Sequence, residues 1–136
     1  MRYKGGCLCG AVRYEINGPI NNIVCCHCSK CRKAQGGAFA TNGFVFKQDF
    51  TFLKGEASLR GYESSPGQTK YFCSCCGSPI ISKNLKRPDQ LRIRLGTIDS
   101  EIDERPEAHI FVGSKACWED VGGDLPQYET YESTRD

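Results

Sequence analysis

Ala11-Val12-Arg13-Tyr14-Glu15-Ile16 alternates in polarity, and a period of two is that of a β-strand with one buried face. Val12, Tyr14 and Ile16 share one face, Arg13 and Glu15 share the other, and Asn17-Gly18-Pro19 ends the run. Working outward, similar strand chemistry recurs at 39–46, 50–53, 58–62, 68–72, 91–95 and 109–112, short stretches rich in aromatic or β-branched residues. Ser65-Pro66-Gly67 and Arg87-Pro88-Asp89 supply turn formers between them. Only 29–35 reads as a helix, about two turns long, with Ser29 as its N-cap and Gly36-Gly37 as its stop. The pattern predicts an all-β protein.

The 136 residues suffice for one core and not two. With no repeat and no linker in view, 1–136 is expected to be a single domain whose acidic tail, from about Tyr128, is polar, aperiodic and frayed. An apolar content of 39% and a net charge of +2 exclude a collagenous, low-complexity or strongly charged disordered chain. No apolar run approaches the ~20 residues that cross a bilayer. The start, Met1-Arg2-Tyr3-Lys4-Gly5-Gly6, has no hydrophobic stretch before the first cysteine. A cytoplasmic protein with no membrane partner is expected, and in a reducing compartment ten cysteines need a purpose other than disulfides.

Charge is unevenly spread. Residues 1–98 carry 15 Lys/Arg against 5 Asp/Glu, a balance of +10, while 99–136 carry 3 against 11, a balance of −8. The basic part lacks any dense Lys/Arg run and the total is near zero, which argues against a nucleic-acid partner. Two zinc ions on seven thiolates contribute 4 − 7 = −3, so some of the basic residues are expected to offset metal sites.

Nine of the ten cysteines fall into three groups: Cys7-Leu8-Cys9, Cys25-Cys26-His27-Cys28-Ser29-Lys30-Cys31 and Cys73-Ser74-Cys75-Cys76. Cysteines two or three residues apart can aim their sulfurs at one tetrahedral ion, and soft thiolates select zinc. Adjacent cysteines seldom share an ion, which leaves seven ligands. They divide in two ways. Cys28 and Cys31 join Cys73 and Cys76, leaving Cys7, Cys9 and Cys26; or Cys7, Cys9, Cys73 and Cys76 close one site while Cys26, Cys28 and Cys31 form another. In either case one tetrahedron lacks a fourth protein ligand, as in catalytic rather than structural zinc sites.

Gly5-Gly6-Cys7-Leu8-Cys9-Gly10, Cys26-His27-Cys28-Ser29-Lys30-Cys31, Phe72-Cys73-Ser74-Cys75-Cys76-Gly77, His109-Ile110-Phe111-Val112 and Lys115-Ala116-Cys117-Trp118 together resemble the glutathione-dependent formaldehyde-activating enzyme family over about residues 5–128. The resemblance implies a zinc-bound β-tent fold of small antiparallel sheets. It implies two zinc ions, with Cys7, Cys9, Cys73 and Cys76 as structural ligands and Cys26, Cys28 and Cys31 as catalytic ligands. It also implies a carbon–sulfur lyase that condenses a small thiol such as glutathione with formaldehyde or another small aldehyde. The chain departs from the family in its extra cysteines at 25, 75 and 117 and in a short stretch between Phe46 and Gln68.

A thiol taken up by three-thiolate zinc stays ionised near neutral pH, where a free thiol of pKa ~8.5 is mostly protonated. Its attack on an aldehyde generates an alkoxide that needs a donor or cation, and His27, Lys30, Arg32 and Lys33 adjoin the ligands. The three cations alternatively solvate the helix surface, and His27 is expected to turn away from the metal and to pack or hydrogen-bond. His109 reads as a core histidine, Trp118 as a core or pocket-wall residue, and Cys25, Cys75 and Cys117 as small buried hydrophobes. The non-catalytic alternative is a zinc module that carries a thiol or binds a protein. The sequence leaves the oligomeric state open.

Overall fold

A computed structural model describes residues 2–133. Its strands are β1 (Tyr3–Gly6), β2 (Arg13–Ile16), β3 (Asn21–Cys26), β4 (Ala40–Phe46), β5 (Phe50–Lys54), β6 (Leu59–Ser65), β7 (Gln68–Cys73), β8 (Pro79–Asn84), β9 (Gln90–Arg94) and β10 (Ala108–Ile110), with one α-helix, α1 (Ser29–Gln35), between β3 and β4. The all-β expectation holds. Strands β1, β3 and β8 escaped the sequence pattern: Gly5-Gly6, Asn21-Asn22 and Pro79 are poor strand formers, and pairing with neighbouring strands overrides them. The helix is capped one residue earlier than expected. Cys28, not Ser29, is the N-cap, and its Sγ accepts from the Cys31 N–H at 3.3 Å. Gly36 ends the helix in the left-handed conformation, φ 70°.

Two sheets form. The smaller has the order β1-β2-β5 and the larger β10-β3-β4-β9-β8-β7-β6, antiparallel except where β10 runs parallel to β3. The apolar face of β2 is decisive: Val12, Tyr14 and Ile16 are fully buried, and they pack with Ile23, Val45, Ile81 and Ile93 of the larger sheet in one core. Alternation along β3, β4 and β9 sends Val24, Cys26, Ala40, Asn42, Arg92 and Arg94 to the opposite face. There a second apolar cluster joins Val24, Cys26, Cys31, Ala40, Ala108 and Ile110.

The acidic C-terminal third folds back over the basic part. Arg13 Nη1 meets Asp99 Oδ2 at 2.7 Å, and Glu104 accepts from Tyr3 Oη–H at 2.7 Å and from the Ile20 N–H at 2.9 Å. From Tyr128 to Glu132 the tail is tied to the fold. The N–H groups of Tyr128, Phe111 and Val112 bond to the carbonyls of His109, Thr130 and Tyr128, the Tyr131 ring packs on Phe111 at 4.9 Å, and Glu132 is buried. β10 supplies backbone donors and acceptors that the tail's polar side chains do not advertise. Positions 134–136 of that tail lie outside the described residues. No helix among the described residues is long and apolar enough to cross a membrane.

Candidate metal centres

Cys7 and Cys9 sit in the turn from β1 to β2, Cys73 ends β7, and Cys76 sits in the turn that leads to β8. Each turn closes on a left-handed glycine, Gly10 at φ 82° and Gly77 at φ 78°, which lets backbone N–H groups curl toward sulfur. Thus the Val12 N–H reaches Cys7 Sγ at 3.2 Å. The Ser78 hydroxyl joins the turns, accepting from the Leu8 N–H at 2.9 Å and from Cys76 Sγ at 3.3 Å. The four sulfurs lie within 4.8 Å of one another, with Cys7–Cys9 at 3.6 Å and Cys9–Cys73 at 3.8 Å. Four sulfurs about 2.3 Å from one ion stand about 3.8 Å apart, so the group fits a tetrahedral metal. Hydrogen bonding with the Ser78 hydroxyl and backbone brings the Cys76 thiol down to about 5, toward the ionised form that a metal takes.

The other group is built on one corner of the chain. Cys26 ends β3, Cys28 caps α1 and Cys31 lies in its first turn, so all three sulfurs converge within 4.8 Å. Hydrogen bonds from the Cys26 and Cys31 thiols, and then from the Cys31 N–H, hold Cys28 far below the usual thiol range. The structure therefore groups the cysteines as Cys7, Cys9, Cys73 and Cys76 on one side and Cys26, Cys28 and Cys31 on the other. Among the described residues no fourth His, Cys, Asp or Glu completes the second group.

The cations facing this trio differ from those adjacent in sequence. Lys30 Nζ donates to Ser65 Oγ, Arg32 Nε donates to the His27 carbonyl at 3.3 Å, and Lys33 is exposed. Instead Arg94 of β9 and Lys70 of β7 come into Coulombic range, Arg94 of Cys31 and Cys26, Lys70 of Cys31 and Cys28. Burial pulls both pKa values down while the cysteines oppose it. Arg94 is 3% exposed and its Nε–H has no hydrogen-bond partner; beside it in register, Asn42 is 1% exposed with neither amide atom satisfied. Orphaned polar atoms at such depth are costly unless something else meets them. One signal was available in sequence: Arg92 and Arg94 alternate with Leu91, Ile93 and Leu95, which places both arginines on one face of a strand.

His27 is fully buried and turns to His109, Nε2 to Nδ1 at 2.9 Å, with the Phe39 ring 5.0 Å from its own. Burial, and next His109, lowers its pKa. His109 is half-buried and has its partner in His27. Cys25 is buried against Thr41, but Cys75 and Cys117 are exposed, contrary to the expectation of buried hydrophobes. Cys75 projects from the outside of a metal-type turn. Trp118 is 68% exposed, neither core nor pocket wall, because 115–119 form an irregular surface loop.

The family model described as "Glutathione-dependent formaldehyde-activating enzyme" matches residues 2–114. The chain belongs to the glutathione-dependent formaldehyde-activating enzyme family. A Halomonas elongata protein named for that family is 29% identical over 132 residues, covering 89% of this chain and 82% of that one. An uncharacterised lyase of Schizosaccharomyces pombe is 26% identical over 126 residues, 85% of this chain and 90% of that one. In fold, this member of the family is similar to the crystal structure of a Rhodobacter sphaeroides protein, with a TM-score of 0.61 and 22% identity over 74% of this chain and 91% of that one.

Proposed function

We propose that the protein is a zinc-dependent carbon–sulfur lyase that adds a small thiol, with glutathione as the family's reference substrate, to formaldehyde or a similar small aldehyde. The observation that carries this reading is the pairing of a complete four-cysteine group with an incomplete three-cysteine one beside buried Arg94 and half-buried Lys70. Cys7, Cys9, Cys73 and Cys76 hold a structural zinc; Cys26, Cys28 and Cys31 hold the catalytic one. Zinc at the open site supplies a Lewis-acid position that keeps an added thiol ionised at neutral pH.

The chain's own residues do the rest. Three thiolates on a divalent ion leave a charge of −1, so an incoming thiolate is repelled unless cations lie close. Buried Arg94 and half-buried Lys70 supply that charge, and that of Arg94 counts most because it is desolvated. In the reaction the thiol S–H is broken, a carbon–sulfur bond forms at the aldehyde carbon, and the carbonyl π pair goes to oxygen, which takes up the proton. Arg94, buried in register with Asn42, offsets the charge developing on that oxygen through its field. His27, held by His109, fixes the backbone between Cys26 and Cys28.

Because thiols and aldehydes also combine uncatalysed, the test is a rate. Formaldehyde consumption with glutathione should be faster with the zinc-loaded protein than with an equal concentration of zinc in buffer. Equal rates, with thiol still bound to the protein, would establish the carrier alternative instead.

A further inference from the structure

Cys26 and Cys28 stand two residues apart in extended backbone, so their side chains leave one side of the chain and the His27 ring leaves the other. That ring is the back of the ligand pair, and it is held at several points. The His27 N–H donates to the Ile110 carbonyl at 2.9 Å, its carbonyl accepts from Arg32 Nε at 3.3 Å, and its Nε2 lies 2.9 Å from His109 Nδ1. The Phe39 ring closes on both imidazoles, its centroid 5.0 Å from that of His27 and 5.9 Å from that of His109. Only His27 Nδ1 is left without a partner, on a residue with no exposed surface.

That orphan fixes the direction of the bond between the rings. Two neutral imidazoles share one proton in it. If His109 donated, His27 would carry its own proton on Nδ1, a buried N–H with no acceptor. If His27 donates from Nε2, its Nδ1 is a bare acceptor, and of the two orphans a buried acceptor is the more often tolerated. A doubly protonated His27 would leave the same N–H orphaned and bury a charge as well. His109 then carries its proton on Nε2, on a ring that is half-buried rather than enclosed. Its backbone is fixed from outside: the His109 N–H donates to the Pro126 carbonyl, and its carbonyl accepts from the Tyr128 N–H, both at 2.9 Å.

We infer that His109 is a positioning residue for the three-cysteine group: by accepting from His27 Nε2–H it pins the ring that turns Cys26 and Cys28 to one side, and so sets the spacing of their sulfurs. This rests on the proposed function only in taking Cys26, Cys28 and Cys31 as metal ligands. It goes beyond that reading in giving a residue of β10, itself braced by a C-terminal segment remote in sequence, control over how tightly the three grip an ion. Partners just outside a ligand set are worth about 10–100-fold in metal affinity. The four-cysteine group is built on other turns and has no part in the contact.

The test follows zinc released from the zinc-loaded full chain to a chromogenic chelator, with Cys28→Ser marking the step that belongs to the three-cysteine group. His109→Leu should release that zinc at a chelator concentration about 10-fold lower or less. His109→Asn, whose side-chain amide stands where Nδ1 was, and His27→Gln, whose amide stands where Nε2 was, should stay within about 3-fold of wild type. The zinc of the four-cysteine group should leave at one chelator concentration in all of them. Nitrogen-15 NMR of the zinc-loaded chain should find the His27 proton on Nε2. Wild-type release from His109→Leu, a His109→Asn variant as weak as His109→Leu, both zinc steps shifting together, or a His27 proton on Nδ1 overturns the assignment. If His109→Leu loosens only the three-cysteine zinc while glutathione and formaldehyde react no faster than in zinc buffer, the positioning role stands and the lyase reading falls. If the reaction is accelerated and that zinc is indifferent to His109, the lyase reading stands and the positioning role falls.

Discussion

The two cysteine groups use one kind of ligand to opposite ends. Cys7, Cys9, Cys73 and Cys76 come from two turns more than sixty residues apart, one on each sheet, and Cys7 and Cys73 are part of the main core. Cys26, Cys28 and Cys31 come from six consecutive residues, at the end of β3 and the start of α1. A metal in the first group closes a long loop between sheets; a metal in the second adds little that the backbone has not already secured. The first group is met by backbone donors and Ser78, and the second by buried Arg94 and half-buried Lys70, with unsatisfied polar atoms on Arg94 and Asn42. Satisfied polar groups stabilise, whereas orphaned ones cost stability.

The contrast is open to a direct attack. Cys73→Ser removes a fully buried sulfur of the inter-sheet group, and a loss on the order of 3 kcal/mol or more is expected in thermal or urea unfolding of the zinc-loaded protein. Cys28→Ser should cost far less stability yet abolish thiol uptake at the metal, read by X-ray absorption as a rise in zinc–sulfur coordination when glutathione is added. Equal destabilisation by the two substitutions would erase the distinction. Chelation should show the same asymmetry: two zinc ions per chain are expected, one leaving under a moderate chelator while the far-ultraviolet circular dichroism is unchanged, and the second only with unfolding.

Arg94→Met sharpens the electrostatic half of the comparison. Removing the buried charge should raise the glutathione concentration needed for the coordination change about 10-fold, whereas Arg94→Lys should recover part of it. The substitution should leave the zinc affinity of the four-cysteine group untouched, and a parallel loss there would mean that Arg94 acts on the fold as a whole.

Glu104 gives the smallest effect. It links Tyr3 of the small sheet to Ile20 at the entrance to β3, and so bridges the two sheets that the four-cysteine group also spans. Burial raises its pKa, but the Ile20 N–H and the Tyr3 hydroxyl outweigh it and hold the carboxyl below the usual range. A lowered folded-state pKa means stability that is present above the unfolded value of about 4.3 and is lost as pH falls through the folded one. Melting of Glu104→Gln should be about 1 kcal/mol lower than wild type near pH 7, with the gap narrowing in acid. A constant gap would show that the ionised form contributes nothing at the joint.

How far the sequence reached depended on the range of the forces involved. Alternation in 11–16 announced a strand whose apolar face is now found fully buried, and the Pro66-Gly67 turn stands where its chemistry placed it, with Gly67 at φ 78° between β6 and β7. The two possible divisions of the cysteines could not be told apart by spacing, since both use seven residues at workable intervals; the choice is made by which turns the sheets bring together. His27 needed a partner 82 residues away to explain its burial. Lys30, Arg32 and Lys33 were natural candidates for the cation because they are neighbours in sequence, yet helix geometry spends them on Ser65, on a carbonyl and on solvent.

By itself, the sequence determined the local matters: strand periodicity, the short helix and its glycine stop, and the clustering of thiols that chelate within a turn, all set by interactions over a few residues. The tertiary structure alone decided which cysteines meet and which end of the chain covers the edge at β10. It also brought Arg94 and Lys70 within Coulombic range of the trio, with Asn42 beside Arg94 in register. The reason is register. A residue on β9 or β7 becomes a neighbour of one on β3 only through the lateral order of strands, and that order follows from burying Tyr14, Ile23, Val45 and Ile93 together rather than from anything near Cys26 in the chain.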